Sequence, residues 1–159
     1  MDHLWSPWRY RYVTSGSERR GCIFCEMLAG SNDEESLILH RAADCFIVLN
    51  RFPYTSGHLM VVPNEHVASL EECPEQPLQN MILLAKKLES QLKSVYRCPG
   101  LNMGFNIGEC AGAGVAQHLH FHILPRWPGD ANFMTAVGET RVLPEDLATT
   151  YSRLKPFWS

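Results

Sequence analysis

Long apolar runs are missing from this chain. No stretch approaches the roughly 20 residues that a membrane-spanning helix needs. The start, Met1-Asp2-His3-Leu4-Trp5-Ser6-Pro7-Trp8, has no charged segment leading into an apolar one, so it does not read as a secretory signal. Clusters of positive charge are missing too. Arg19-Arg20 and Lys86-Lys87 are isolated pairs and the formal net charge is −3. That argues against a general nucleic-acid-binding surface, because affinity for a phosphate backbone needs grouped cations. Charged residues are sparse at 19%, against 45% hydrophobic, the balance of a globular chain and not of a disordered one. Cysteine is also too thin for a disulfide framework, with six in 159 residues. Cys22-Ile23-Phe24-Cys25 is one close pair, while Cys45, Cys73, Cys98 and Cys110 are dispersed. The pattern points to a cytoplasmic protein with one metal or redox pair and four free thiols.

What is present divides into short elements. Residues 1–20 carry Trp5, Trp8, Tyr10 and Tyr12 and form an aromatic N-terminal extension, expected to pack across the domain or a partner subunit. Cys22–Leu28 reads as a short helix stopping near Gly30. Ser31-Asn32-Asp33-Glu34-Glu35 reads as a solvated loop. Strands are expected at Ser36–His40, Cys45–Leu49, His58–Val62 and Leu101–Ile107, with a Pro- and Gly-bearing turn over Arg51–Gly57. One long helix is expected within Pro77–Arg97. There Leu78, Met81, Ile82, Ala85, Leu88, Leu92 and Val95 recur at three- and four-residue steps as one apolar stripe. A second helix is expected from Pro144 to about Leu154, inside a C-terminal extension over 140–159. No internal repeat or linker divides residues 1–159, so the chain reads as one α+β domain, an antiparallel sheet with a long helix on one face.

The chemistry concentrates in Gln117-His118-Leu119-His120-Phe121-His122-Ile123-Leu124. A strand turns alternate side chains to one face. On that reading His118, His120 and His122 form a polar row at roughly 6–7 Å backbone spacing, while Leu119, Phe121 and Ile123 enter a core. Such a row can bind a catalytic metal, or one imidazole can serve as a nucleophile that its neighbours position. Just upstream, Ala111-Gly112-Ala113-Gly114-Val115 has little side-chain bulk, so its backbone N–H groups can approach an anion. A phosphate held beside an imidazole is the reading that joins the two features. The Cys22/Cys25 pair has three readings: redox pair, buried pair, or half of a metal site. A thioredoxin-type redox pair follows a strand, and nothing strand-like precedes Gly21. A structural zinc site needs two more ligands, and His66 and His118 are candidates.

These residues resemble the histidine-triad (HIT) family. His118–Leu124 matches the alternating histidine signature. Leu49–Pro63 resembles a second family block, and Asn106-Ile107-Gly108 with Ala111-Gly112 resembles its phosphate loop. Cys22-Ile23-Phe24-Cys25 is similar to the N-terminal signature of zinc-containing bacterial members. Trp5-Ser6-Pro7-Trp8-Arg9 and the stretch from Pro125 to Met134 look like diadenosine tetraphosphate phosphorylase-type members. One departure stands out: many members carry Gly-Gln-Ser/Thr-Val before the triad, where this chain has Gly112-Ala113-Gly114-Val115.

The resemblance implies a HIT-like fold, a five-stranded antiparallel sheet with one long helix and a shorter C-terminal helix. It implies that His120 attacks the α-phosphorus of a nucleotide, with His122 assisting at the phosphate. Ile23 and Phe24 would contact the base, Asn50 the ribose, and Asn106, Gly112, Ala113, Gly114 and Val115 the phosphates. Cys22, Cys25, His66 and His118 would hold a structural zinc, and His58 would orient a neighbour or pack in the core. The expected activity is cleavage of dinucleoside polyphosphates through a nucleotidyl-histidine, with inorganic phosphate as a co-substrate if the reaction is phosphorolysis. The alternatives are a HIT hydrolase of such compounds or of nucleoside phosphoramidates, and a metal-dependent hydrolase using the histidine row as ligands. A homodimer or higher homo-oligomer is implied as well.

Overall fold

Cys45–Leu49 and Leu59–Pro63 are unbroken apolar runs, and both are buried along their whole length. Strands covered on two faces have no solvent side on which to place polar residues. The computed structural model of the protein describes residues 21–132, 135 and 143–158. Its strands are β1 (Ile38–Arg41), β2 (Cys45–Leu49), β3 (Leu59–Pro63), β4 (Gly100–Phe105) and β5 (Phe121–Arg126). They form one antiparallel sheet in the order β1-β2-β3-β5-β4. Its helices are α1 (Ile23–Ala29), α2 (Asp33–Ser36), α3 (Glu75–Tyr96) and α4 (Leu147–Leu154). The aromatics at 5–12, Phe133-Met134 and part of the C-terminal extension lie outside the described residues.

The sheet has a different cover on each face. On one, α3 and α4 place Met81, Leu88, Leu92, Tyr151 and Leu154 against Leu39, Ile47, Leu59, Val61, Phe121 and Ile123. On the other, Phe24 of α1 packs with Ile38, Phe46, Val48, Met60 and Val62. His122 sits opposite Met60 in the β3–β5 register, so it belongs to the α1 face. Among the described residues no helix is long and apolar enough to cross a membrane.

Three expectations shift. The acidic stretch expected as a loop closes into α2, because the Asn32 side chain accepts the Glu35 N–H at 3.2 Å and the acids fall in the first turn, where the helix dipole favours them. On α3 the stripe runs through Met81, Leu84, Ala85, Leu88 and Leu92, while Ile82 is 50% exposed. Ile82 lies about 100° around the helix from Met81, beyond the edge of the buried arc. Finally, β5 begins at Phe121, so only His122 of the three histidines lies in a regular strand. His118 and His120 sit on the approach to it. The Leu119 N–H there bonds to Val67 O at 2.6 Å, outside the sheet ladder.

Candidate functional site

Cys22 is the residue before α1 and Cys25 lies one turn inside it, a spacing that turns both sulfurs to one side. The loop after β3 brings His66, and the segment before β5 brings His118. Cys22 Sγ lies 3.2 Å from His118 Nδ1, and Cys25 Sγ lies 3.4 Å from His66 Nδ1 and 3.6 Å from His118 Nδ1. The four donor atoms lie within 4.8 Å of one another and could hold a metal ion. His118 Nε2 is 2.9 Å from Pro63 O. A carbonyl only accepts, so the proton sits on Nε2 and the Nδ1 lone pair faces the two sulfurs. Burial holds the His118 pKa below the usual histidine range, and the neighbouring His66 and His120 lower it further against the pull of the Pro63 carbonyl. Burial likewise pushes the Cys25 thiol up, with Cys22 adding to the effect. Two adjacent sulfurs do not readily share negative charge without a cation.

Two residues on, the geometry inverts. His120 Nδ1 donates to His118 O at 2.8 Å, which leaves Nε2 with the lone pair. The ring is 5% exposed and packs on Phe24, centroid to centroid 5.2 Å. Burial lowers its pKa, so the imidazole is neutral at ordinary pH.

His122 is fixed by a relay that starts at the backbone. The Tyr54 N–H donates to His58 Nδ1 at 3.1 Å, so His58 carries its proton on Nε2. His58 Nε2 is 2.9 Å from His122 Nδ1 and donates to it, which puts the His122 proton on Nε2. Burial, and then the neighbouring His120, pull the His122 pKa down to about 4. His120 and His122 stand edge to face at 4.8 Å between centroids. One therefore offers a lone pair and its neighbour an N–H.

The remaining expected residues fall around this pair unequally. Phe24 is 3% exposed, with His118, His120 and Phe46 against its ring, so its surface is spent beneath the imidazoles. Half-buried Ile23 in the same turn keeps surface to offer a ligand. Asn50 closes the turn after β2: Oδ1 accepts the Phe52 N–H at 2.9 Å, and Nδ2 lies 3.3 and 3.4 Å from the two His58 ring nitrogens. Asn106 is half-buried just past β4.

The glycine loop holds a 3₁₀ turn, Glu109–Ala111. That turn consumes the N–H groups of Ala111, Gly112 and Ala113, which bond to Gly108 O, Glu109 O and Gly108 O. Gly112 has φ 88°, a conformation that suits a residue without Cβ. Among the described residues, the N–H groups of Gly114, Val115, Ala116 and Gln117 have no backbone acceptor outside helices and strands. The amides left without a backbone acceptor thus lie two to three residues nearer the histidines than the glycine pattern suggests. Tyr54 and the Val67 carbonyl were not singled out from sequence. Each acts through its backbone, which leaves no mark in residue type. A cavity of about 640 Å³ is lined by Tyr54, Leu124, Arg126 and Trp127 among others, and not by His120.

A fold with this sheet, a Cys/His cluster at one end of a histidine row and two complementary imidazoles at the other defines a histidine-triad protein. The chain belongs to the HIT family, whose HIT domain model matches residues 31–129, and it is a nucleotide-processing enzyme of that family. It is 36% identical over 167 aligned positions to an AP-4-A phosphorylase of Mycobacterium tuberculosis, covering 100% of this chain and 85% of that one. A HIT-like protein of Saccharolobus solfataricus is 32% identical over 71% of this chain and 79% of its own length. Among solved structures, a Zn-bound histidine triad family protein from Mycobacterium smegmatis superposes with TM-score 0.70 at 23% identity, covering 86% and 91% of the two chains. A histidine triad nucleotide-binding protein from Sulfolobus tokodaii gives 0.66 at 25%, covering 85% and 90%.

Proposed function

We propose that this enzyme cleaves dinucleoside polyphosphates of the diadenosine tetraphosphate kind by phosphorolysis, through a nucleotide bound covalently to His120. The observation that carries the reading is the pairing of opposite tautomers, a bare Nε2 on His120 beside an N–H on His122. The similarity to an AP-4-A phosphorylase, over all of this chain and 85% of that one, supports the substrate class.

In the first step the His120 Nε2 lone pair forms a bond to the α-phosphorus. The bond from that phosphorus to the bridging oxygen breaks, and its electron pair leaves on the β-phosphate. His122 Nε2–H hydrogen-bonds that departing oxygen, and the free amides from Gly114 onward meet charge on the non-bridging oxygens. ATP departs. In the second step an oxygen of inorganic phosphate attacks the adenylyl phosphorus, His120 leaves, and ADP forms. Ile23 takes the base side with Phe24 packed beneath the imidazoles, Asn50 takes the ribose, and Asn106 with the Gly114 and Val115 amides takes the phosphates, while Gly112 and Ala113 shape the turn that presents them.

Cys22, Cys25, His66 and His118 would hold zinc. Zn–S near 2.3 Å and Zn–N near 2.0–2.1 Å give tetrahedral S···N edges of roughly 3.5 Å, and the separations of 3.2, 3.4 and 3.6 Å straddle that value. Four protein donors leave no open position, so such an ion is structural. It would tie α1 to the segment whose carbonyl orients His120. The histidine row does not converge as a catalytic metal site: His118 turns its Nδ1 lone pair to the cysteines, and the His122 Nδ1 lone pair is taken by His58. A second copy would pair along β4, an edge strand on which Met103 is 38% exposed.

The test is turnover of diadenosine tetraphosphate with and without inorganic phosphate. ADP and ATP in equal amounts, formed only with phosphate present, are expected. AMP and ATP at the same rate without phosphate would replace phosphorolysis with hydrolysis.

A further inference from the structure

Neither the Cys/His cluster nor His120 lines the cavity of about 640 Å³, yet two of its β5 residues share a sheet face with His122, while Tyr96 of α3 and Arg153 of α4 close it from the other side. Side chains two apart on a strand share a face. Leu124 and Arg126, which line the cavity, therefore continue the line that His122 begins. Arg126 lies four residues, about 13 Å, along β5 from His122. Tyr54 is the common wall. It lines the cavity, and its ring lies 6.1 Å from His122 at an interplanar angle of 30°.

The lining is not that of a phosphate site. Arg126 is paired to Asp130 through two bonds of 2.6 and 2.8 Å, and Arg153 is paired to Glu145. Two cations against two carboxylates leave no net positive charge for a polyphosphate. What the cavity does present is flat and aromatic. Tyr96 and Trp127 meet edge to face at 6.2 Å, with carboxylate and amide acceptors at the rim. The Thr55 and Ser56 hydroxyls on the same wall are buried without a hydrogen-bond partner among the described residues. A nucleoside supplies the complementary set: a π-face for the aromatics, sugar hydroxyls for the orphaned Thr and Ser, and no charge to upset the paired cations and carboxylates. The volume is within the usual range for a small-molecule site.

We propose that this cavity holds the second nucleoside of the substrate, the one that departs with the leaving polyphosphate. The inference rests on the proposed cleavage at His120. It makes that site two-ended: the α-phosphorus at His120, the chain of phosphates past His122, and the far base against the wall that Tyr96 and Trp127 form. The cavity, more than the triad, would then set the preference for a dinucleoside over a mononucleoside polyphosphate.

The experiment compares two substrates with the same scissile bond, diadenosine tetraphosphate and adenosine 5′-tetraphosphate, which lacks only the far adenosine. The readout is the ratio of their kcat/KM values. The wild-type chain is expected to favour the dinucleoside at least tenfold. Trp127→Ala is expected to lower that ratio about tenfold, mostly through KM, and Trp127→Phe to restore most of it. Leu124→Trp, which fills the cavity without removing a wall, should lower the ratio as well and covers the case in which Trp127→Ala does not fold. A ratio near one in the wild type, or one unmoved by Trp127→Ala and Leu124→Trp while both substrates are cleaved, overturns the subsite alone. Cleavage of neither substrate by the wild type overturns the reading beneath it.

Discussion

His118 and His120 are two residues apart, both nearly sealed from water, and both neutral, yet they hold their protons on opposite nitrogens. His118 gives Nε2–H to the Pro63 carbonyl and turns Nδ1 to the cysteines, whereas His120 gives Nδ1–H to the His118 carbonyl and keeps Nε2 bare. The difference comes from which backbone carbonyl each ring can reach, not from anything in the side chains. Under the proposed function a zinc ligand and a nucleophile are thereby made from one residue type, with the His118 carbonyl aiming His120. The two ends of the row are coupled by that single 2.8 Å bond.

The largest effect should come from deleting one member of the contrast. His120→Asn is expected to lower kcat by at least about 10⁴-fold, the scale of losing a covalent nucleophile, while metal content stays at the wild-type level. Loss of metal in that variant would mean that the two ends are not separable. Next comes the ligand end. Cys25→Ser is expected to lower bound zinc sharply and to cost about 3 kcal/mol, near 10 °C in melting temperature for a chain of this size. Elemental analysis and thermal melts read both. Unchanged zinc would remove Cys25 from the site.

A smaller effect is expected at His58, which is 1% exposed and donates to His122. His58→Leu should lower kcat about 10- to 100-fold, the usual scale for a group that orients its neighbour. His58→Gln, which still offers an N–H, should recover part of it with KM little changed. Equal losses in the two variants would reduce His58 to core packing.

The smallest effect is a pH dependence of stability. The pKa of His122 is pulled to about 4 in the folded protein, below the ordinary histidine value of 6.5. Between those values the unfolded chain binds more protons than the folded one. The contribution of His122 to stability is therefore whole above about 6.5 and falls as pH drops towards 4. His122→Asn should flatten that slope in denaturant melts, and an unchanged slope would assign the acid sensitivity to other groups.

Much of this was legible in the residues themselves. β2 and the α3 stripe announce themselves by apolar pattern, and the sheet needs only that pattern to stack against the helix. The Cys22/Cys25 pair named half of the donor cluster and His66 and His118 stood as its completion, because metal ligation depends on side-chain type. What could not be read was written in the backbone. The Pro63, His118 and Val67 carbonyls and the Tyr54 N–H decide the tautomers and the path of the segment, and any residue type can supply them. Periodicity likewise placed all three histidines in one strand. The departure of His118 and His120 from the ladder comes instead from the Leu119 bond to Val67, 52 positions away in the chain. The loop amides show the same limit. Low side-chain bulk marked Ala111–Val115 as open, but the 3₁₀ turn inside it had already used three of those N–H groups.

The most direct test is to catch the intermediate. Wild-type protein mixed with a stoichiometric amount of diadenosine tetraphosphate, without phosphate, then quenched at alkaline pH and digested, should yield one peptide carrying an adenylyl group on His120. That adduct should disappear on adding inorganic phosphate, with ADP formed in step, and should be absent from His120→Asn. Substrate consumed with no adduct at any time, or an adduct that persists in His120→Asn, would contradict the account.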